Sequence, residues 1–344
     1  MGNSCSNAAK SYAQDSSDDG YATERSLHEG AVLGVASYAV NKSLSCGDDN
    51  QLCLFDWSDS GETNYPLYFK GHNKAVNKAA CADGYVWSVS RDLTLRQWRA
   101  DSAELVQTIS QTHELNVSAV SIEHGGKRVF TGSRDYHVKG WDVETGLCTS
   151  TFSCPRNIVT ALDFDQKHNP HLLYQGSEDL CIRAWDTRSS QGNVPARHLS
   201  GYVYFPLCLA LHPDGNTLAS GCKGFNSVGC EVKLWDLRQT AAPLTEFRGH
   251  TQDVTGCRFS PDGKDLVSVS KDGSVFAWNT AQSDAESPVA QLSTGRIYSS
   301  LAVLDGEEKG TFVSGAFDGS ISRVRLLSGN MRVDKMTAPG SFAE

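Results

Sequence analysis

The chain has 344 residues, 39 % of them hydrophobic, with 31 glycines but three methionines and a net charge of −9. Such a composition excludes a disordered chain and suits a turn-rich β protein better than a helical bundle, and the absence of clustered Lys/Arg excludes a nucleic-acid-binding surface. The longest apolar stretches, 31–40 and 202–211, are half of the roughly 20 residues a membrane-spanning helix needs.

Residues 1–26 are polar, rich in Ser and Asp and almost free of large aliphatic side chains, and are expected to form a disordered tail. Within it, Met1-Gly2-Asn3-Ser4-Cys5-Ser6 fits the N-myristoylation pattern, with Gly2 as the acceptor and Ser at the sixth position. One myristoyl chain holds a membrane only marginally, so a second signal is needed. A polybasic patch does not supply it, since Lys10 stands alone ahead of Asp15, Asp18 and Asp19. Cys5 can, as an S-palmitoyl site. Without either modification the segment is an ordinary tail. Nothing near the start resembles a secretory signal, so the expectation is a cytoplasmic protein attached peripherally to a membrane by its acyl groups. Eleven cysteines without a Cys-x-x-Cys pair agree with a reducing compartment, where they read as small buried hydrophobes.

From His28 onward one pattern recurs seven times, six of them regular: an acidic turn and an aromatic or aliphatic residue six further on, with a Ser two residues before the acid at Ser90, Ser133, Ser177 and Ser270. The pairs are Asp49/Phe55, Asp92/Trp98, Asp135/Trp141, Asp179/Trp185, a diverged copy ending at Trp235, Asp272/Trp278 and Asp318/Val324. Successive ends are 43, 43, 44, 50, 43 and 46 residues apart. A His with Val four residues on precedes several copies, at His28, His72, His113 and His250, twice as Gly-His. Each copy fits two short strands joined by a tight turn.

A period of this length, opening on Gly-His and closing on Trp-Asp, resembles the WD-repeat family, whose fold is a β-propeller with four strands per blade. The resemblance implies an all-β, seven-bladed propeller over 27–336, forming one domain, followed by a short tail at 337–344. For the last blade, Met331–Met336 is the expected outer strand, because Ser328-Gly329-Asn330 makes a good hairpin turn; the alternative is Tyr21–Ser26.

Within a blade, the turn Asp can accept from the His ring, the His can engage a Ser, and the Ser the Trp indole. Complete sets read His72/Ser90/Asp92/Trp98, His113/Ser133/Asp135/Trp141 and His250/Ser270/Asp272/Trp278. They invite a Ser-His-Asp hydrolase reading, but a catalytic triad occurs once and lines a pocket, whereas these recur at the repeat period. The sets are read as architecture, and no enzymatic activity, cofactor or metal is expected. No Gly-x-x-x-x-Gly-Lys-Ser/Thr loop is present, so nucleotide binding is not expected either.

Residues just before the turn acids should point to a partner: Asp48, Arg91, Arg134, Glu178, Lys271 and Phe317, of which Arg91, Arg134 and Lys271 are cationic points on an acidic protein. The fifth copy inserts 222–230 between its second and third strands, a loop expected to rise from this face with Phe225 exposed as a recognition element. Cys222 and Cys230 alone do not make a metal site, and His168-Asn169-Pro170-His171 reads as a turn.

Two finer resemblances concern function. Pro155–Thr160 leading to Trp185-Asp186-Thr187-Arg188, and the Gly221–Glu231 loop leading to Leu234–Thr240, are similar to a cilia-associated group of WD-repeat proteins. That resemblance implies a scaffold in ciliary and intraflagellar traffic, with regulators of small GTPases or ciliary transport components as partners, or an axonemal component fixed to doublet microtubules. Trp-Asp-x-Arg at Arg188 and Arg238 also resembles the ending found in substrate receptors of cullin–RING ubiquitin ligases, where those arginines would contact the adaptor.

Overall fold

The computed structural model describes residues 27–335 apart from 59–65, 124, 154–156, 166–167, 190–193, 282–286, 306–309 and 328–329. Within them the chain is seven four-stranded antiparallel sheets, each made of four consecutive strands. The first blade is β1 (Val32–Ala39), β2 (Lys42–Gly47), β3 (Leu52–Asp56) and β4 (Leu67–Phe69). The second is β5 (Val76–Ala82), β6 (Tyr85–Ser90), β7 (Leu95–Arg99) and β8 (Leu105–Ile109). The third runs through β9 (Val117–Ile122), β10 (Arg128–Ser133), β11 (His137–Asp142) and β12 (Cys148–Ser153). Next come β13 (Val159–Phe164), β14 (Leu172–Ser177), β15 (Cys181–Asp186) and β16 (Arg197–Leu199). The fifth blade is β17 (Pro206–Leu211), β18 (Thr217–Cys222), β19 (Val232–Asp236) and β20 (Thr245–Phe247). The sixth is β21 (Val254–Phe259), β22 (Asp265–Ser270), β23 (Ser274–Asn279) and β24 (Ala290–Ser293). The seventh closes with β25 (Tyr298–Val303), β26 (Thr311–Ala316), β27 (Ile321–Leu327) and β28 (Asn330–Lys335). This is a seven-bladed β-propeller.

The second strand of each blade is buried on both faces, because neighbouring blades cover it from either side. That is why these strands alternate Val, Leu or Phe with Ser, Thr or Gly instead of with charges. At one position of the second strand, occupied by glycine in four blades, there is little room for a side chain. A Cβ on Gly132 would stand 2.4 Å from Val159 of the next blade, and one on Gly221 2.6 Å from Val254.

The tryptophans belong to the seams. Trp98 packs edge-on against Phe69 of the previous blade at 6.0 Å, while Trp185 lies tilted on Phe152 at 5.3 Å and Trp278 on Phe247 at 5.1 Å. Each aromatic partner sits in the outermost strand of the blade before. Trp141 is buried at the corresponding seam, but the place of the phenylalanine is taken by Ile109 at the end of β8. The repeat therefore pairs one blade's last strand with the next blade's first three. The aromatic contacts add about 1 kcal/mol beyond the area they bury.

The ring closes without exchanging a strand between the termini. The seventh blade's outer strand is β28, the C-terminal option, while Tyr21–Ser26 lies outside the described residues. Closure is by packing: Leu27, Val32, Phe55 and Trp57 of the first blade share one cluster with Leu304, Val313 and Ile321 of the last. Asn41 N–H donates to Asp305 O at 2.6 Å, and the Arg323 guanidinium lies over the Trp57 ring at 5.5 Å. The seven first strands line a central cavity of 350 Å³.

Candidate protein-binding face

Four blades contain a His–Asp pair. His72 Nδ1 meets Asp92 at 2.8 Å, and His113 Nδ1 meets Asp135 at 2.9 Å. His28 Nδ1 meets Asp49 at 2.9 Å, whereas His250 reaches Asp272 through the Ser274 hydroxyl at 2.6 Å.

The other ring nitrogen corrects the expected sets. His72 Nε2 is 2.7 Å from Ser88 Oγ, not Ser90, and Trp98 Nε1–H donates to that same Ser88 oxygen at 2.9 Å. In the third blade His113 Nε2 is 2.7 Å from Thr131 Oγ1, and the Trp141 indole N–H donates to Thr131 at 2.8 Å instead of to Ser133. In the sixth, His250 Nε2 and Trp278 Nε1 meet at Ser268, at 2.8 and 2.9 Å, and not at Ser270. The sets are thus His72/Ser88/Asp92/Trp98, His113/Thr131/Asp135/Trp141 and His250/Ser268/Asp272/Trp278.

Ser90, Ser133 and Ser270 cap the turn. Each accepts the N–H of the turn Asp, and Ser90 donates to Lys74 O at 2.9 Å. Both hydroxyls of each strand point the same way because side chains alternate with period two. The one deeper in the blade meets the Trp.

The network assigns the tautomer: Nδ1–H donates to the Asp, or to Ser274 in the sixth blade, so Nε2 accepts from the hydroxyl, which in turn accepts from the indole. Burial lowers the pKa of His72, His113 and His250 against the opposing pull of their carboxylates. For Asp92, Asp135 and Asp272 burial pushes up, but hydrogen bonds from the His, the neighbouring hydroxyls and backbone amides outweigh it and hold the carboxyls well below the ordinary range. The result is a neutral ring beside a carboxylate, with the serine or threonine oxygen fully buried. That hydroxyl spends its proton on Nε2 and a lone pair on the indole, an arrangement that fixes blade geometry.

Two blades lacking the His are built differently: Gln175 stands in the place of the hydroxyl and accepts from Trp185 Nε1 at 2.6 Å, and Tyr202 OH meets Ser220 Oγ at 2.8 Å while its ring lies tilted on Trp235. In the first blade Phe55 replaces the Trp, and Trp57 donates instead to Ser43 at 3.2 Å.

One backbone bond recurs in all seven blades and builds the face. The residue before each turn donates its N–H to the residue ahead of the first strand: Asp48 to Ala31, Arg91 to Ala75, Arg134 to Asn116, Glu178 to Ile158, Lys223 to Phe205, Lys271 to Asp253 and Phe317 to Ile297. Lys223 is thus the fifth member of the ring, hidden in the sequence because the insertion removed the turn Asp that marks the place. Its Nζ lies 4.9 Å from the Phe205 centroid, and Lys271 Nζ lies 5.8 Å from that of Phe317. Arg91 and Lys271 are less free than expected: Arg91 is 3.5 Å from Asp48 and Lys271 2.8 Å from Asp253. Arg134 makes no side-chain ion pair among the described residues.

The insertion does not rise freely from this face; it folds down on it. Phe225 and Val228 exchange backbone bonds at 3.0 Å around Asn226 and Ser227, both with positive φ, which is a two-residue hairpin turn of the kind favoured by Asn-Gly. Ser227 N–H donates to Thr251 O at 3.1 Å and Gly224 N–H to Asp253 Oδ1 at 3.1 Å, so the loop is docked on the sixth blade. Asp253 holds Lys271 as well, joining the loop to the ring. Phe225 is left 66 % exposed, beside exposed Val203, Tyr204 and Val228. A cleft of 550 Å³ opens next to it between the fifth and sixth blades. Beneath the cleft Lys233 is buried and fully engaged, by Glu246 at 2.6 Å, Glu231 at 3.5 Å and Gly201 O at 3.0 Å. Glu231, directly after the insertion, is one of the two counterions of Lys233.

Arg188 and Arg238 lie on the opposite face, after the third strands. Each forms a two-pronged pair with the Asp of its own Trp-Asp, Arg188 with Asp186 at 3.0 and 2.7 Å and Arg238 with Asp236 at 2.9 and 2.8 Å. His168 and His171 sit in the turn between β13 and β14, and no cluster of three or more His, Cys, Asp or Glu suited to a metal occurs among the described residues. Gly2 and Cys5, the C-terminal tail, and Pro155 and Arg156 lie outside the described residues.

The chain matches the WD domain, G-beta repeat, at residues 103–142, 193–236 and 241–279. Each match runs from the outermost strand of one blade through the third strand of the next, as the seams require. Nuclear distribution protein nudF of Emericella nidulans is 30 % identical, over 74 % of this chain and 60 % of that protein. The periodic tryptophan protein 2 homolog of Dictyostelium discoideum is 28 % identical, over 84 % of this chain and 30 % of its own length. Autophagy-related protein 16 of Arabidopsis thaliana is 26 % identical, over 72 % and 47 %. The chain spans at most about three-fifths of these relatives, and their names share no single task; what it has in common with them is the repeat.

Proposed function

We propose that this chain, a seven-bladed propeller of WD repeats, is a non-enzymatic scaffold that binds an acidic protein segment on the face carrying the Phe225 loop. The observation that carries this is the docked insertion. A preformed hairpin holds a phenylalanine in solvent beside three further exposed apolar side chains, a concentration of surface that marks interaction sites. Arg134 and Lys223 in the surrounding ring give a sign preference on a protein that is otherwise acidic.

The finer reading is a tethered ciliary scaffold. The segments around Asn157, Arg188 and the insertion resemble WD repeat-containing protein 31, which supports a role in ciliary and intraflagellar traffic with regulators of small GTPases. The Gly2 and Cys5 pattern supports attachment to the membrane through myristoyl and palmitoyl chains. On this reading the protein is cytoplasmic, peripheral to membranes and concentrated in the cilium or flagellum.

Two comparisons test it. Phe225→Ala should lose partners that co-purify with the wild-type protein from ciliated cells, and an unchanged set of partners refutes the proposed face. Gly2→Ala should leave the detergent-soluble membrane fraction of isolated cilia. If wild type and variant fractionate alike and the N-terminal peptide carries no acyl mass, the tether is wrong. Retention on doublets after detergent and salt favours the axonemal role. Loss of a ligase adaptor in the Arg188→Ala/Arg238→Ala variant favours the ubiquitin-ligase role.

A further inference from the structure

The central cavity contains a pair of thiols that the repeat does not require. Cys208 in β17 and Cys257 in β21 belong to adjacent blades and are 49 residues apart in sequence, yet their Sγ atoms stand 3.5 Å from each other. Space for the pair is made by Gly221, where a Cβ would lie 2.6 Å from Cys208 Sγ. Both cysteines are buried, and Cys208 belongs to the wall of the central cavity.

Two cationic side chains line the same cavity. Lys78 Nζ donates to Leu33 O at 3.1 Å, and Arg258 Nη1 donates to Leu209 O at 2.6 Å and Cys257 O at 2.9 Å. Among the described residues neither forms an ion pair with a carboxylate. Asp163, the one acid lining the cavity among the described residues, accepts the amides of Leu211 and Phe164, and burial pushes its pKa up against the pull of Arg258. The positive charge of Arg258 and Lys78 favours a Cys208 thiolate over the thiol, although burial lowers the pKa of Lys78 itself.

The two sulfurs differ in character. The contact with the Cys257 sulfur, opposed by burial and helped by Arg258 and Lys78, holds the Cys208 thiol below its ordinary pKa. The same contact with Cys208, together with burial, pushes Cys257 well above. Cys81, which also lines the cavity, is unlike Cys208: burial raises its thiol to about 12.

We propose that Cys208 and Cys257 are a peroxide-sensitive dithiol whose oxidation links the fifth and sixth blades by a disulfide. The Cys208 thiolate attacks one oxygen of hydrogen peroxide. A sulfur–oxygen bond forms, the oxygen–oxygen bond breaks, and hydroxide leaves to become water by taking up the proton Cys208 released. The Cys257 sulfur then attacks the sulfenic sulfur. The sulfur–sulfur bond forms and the sulfur–oxygen bond breaks, and a second water carries away the Cys257 proton. Two thiols are oxidised by two electrons and one peroxide is reduced to two waters. The sulfurs must approach by roughly 1.5 Å to reach the bond length of about 2.05 Å.

The test uses the full folded chain. After brief peroxide treatment and quenching, it is denatured and alkylated with N-ethylmaleimide. The expected result is the loss of two of the eleven alkylatable thiols, with a cross-link joining tryptic peptides 198–223 and 249–258 whose fragments assign it to Cys208 and Cys257. Cys257→Ser should abolish the cross-link and leave Cys208 as a sulfenic acid trapped by dimedone. Eleven alkylated thiols in the wild type, or a first disulfide joining any other pair, overturns the proposal. The wild-type measurement stands even if the variant does not fold, and it does not depend on what the propeller's face binds.

Discussion

Gly315 lies against Val32 so closely that a Cβ on it would stand 2.4 Å from Val32 Cγ1. These residues belong to the last and first blades, and their contact is the one that Gly132 makes with Val159 and Gly221 with Val254 at internal seams. The ring therefore closes with the geometry it uses between consecutive blades. Gly315→Ala forces a methyl into that seam, and overpacking of this kind costs about 1–3 kcal/mol. Urea denaturation should show a lowered midpoint with an unchanged slope. An unchanged midpoint would mean that Val32 yields freely and that closure rests on the Leu27–Trp57 cluster instead.

Ser88 and Ser90 are both fully buried in one strand, but only Ser88 joins His72 to Trp98. Ser88→Ala leaves a ring nitrogen and an indole N–H unpaired in the interior, at about 1–3 kcal/mol for each group. Ser90→Ala removes a turn cap and frees Lys74 O and the Asp92 amide near the surface, where water can replace it. The first variant should lose more stability in a denaturant titration. Equal losses would mean that the indole bond contributes little.

Stability should fall in acid, in two steps of the same sign. His72, His113 and His250 have pKa values lowered from 6.5, so below about pH 6.5 the unfolded chain takes up protons that the folded chain refuses. Asp92, Asp135 and Asp272 are lowered from 3.8, so a second loss follows as pH drops through that value. Both groups bind fewer protons when folded, and the melting temperature should decline steadily from neutrality downward. His250→Gln should blunt the upper step; a melting temperature flat from pH 7 to 5 would refute the assignment.

Lys233 is 3 % exposed and has two glutamates as counterions. Lys233→Met strands Glu231 in the interior and half-strands Glu246, which keeps some solvent. Removing one partner of a buried pair costs about 3–5 kcal/mol, and the solvent around Glu246 puts this case near the lower end. Adding Glu231→Gln and Glu246→Gln to the same chain should restore most of that loss. If the triple variant is no better than the single one, the lysine's packing on Tyr202 matters more than its charge.

The repeat, its seven copies and their His, Asp and Trp members were legible because each recurs at a fixed interval. The hydroxyl was misassigned because Ser88-Val89-Ser90, Thr131-Gly132-Ser133 and Ser268-Val269-Ser270 offer two hydroxyls on one side of a strand, and spacing cannot rank them. In the third blade the hydroxyl that holds Trp141 is a threonine, so a search for serine passes over it. Lys223 was missed because the landmark used to find its equivalents, the turn Asp, is absent from the fifth blade. The Cys208–Cys257 contact crosses a seam whose two strands both carry a bulge, between Pro206 and Cys208 and between Val254 and Gly256.

The hairpin at Phe225 decides whether the exposed face is a site or a tolerated insertion. Asn226 and Ser227 both sit at positive φ, where glycine is easier than serine and a β-branched residue is strained. Ser227→Gly should therefore keep or tighten the loop, and Ser227→Val should break it while touching nothing in the core. Neither Ser227→Gly nor Phe225→Ala should change stability by more than about 0.5 kcal/mol, since the side chains lie in solvent. Binding should respond differently: a central aromatic anchor is worth about 2 kcal/mol or more, close to a thirtyfold loss of affinity for Phe225→Ala. Ser227→Val should approach that loss and Ser227→Gly should not. Titration of a partner captured by the wild-type protein against all three variants separates the outcomes. A partner bound equally well by Phe225→Ala and Ser227→Val would move the recognition site to the Arg134 side of the ring.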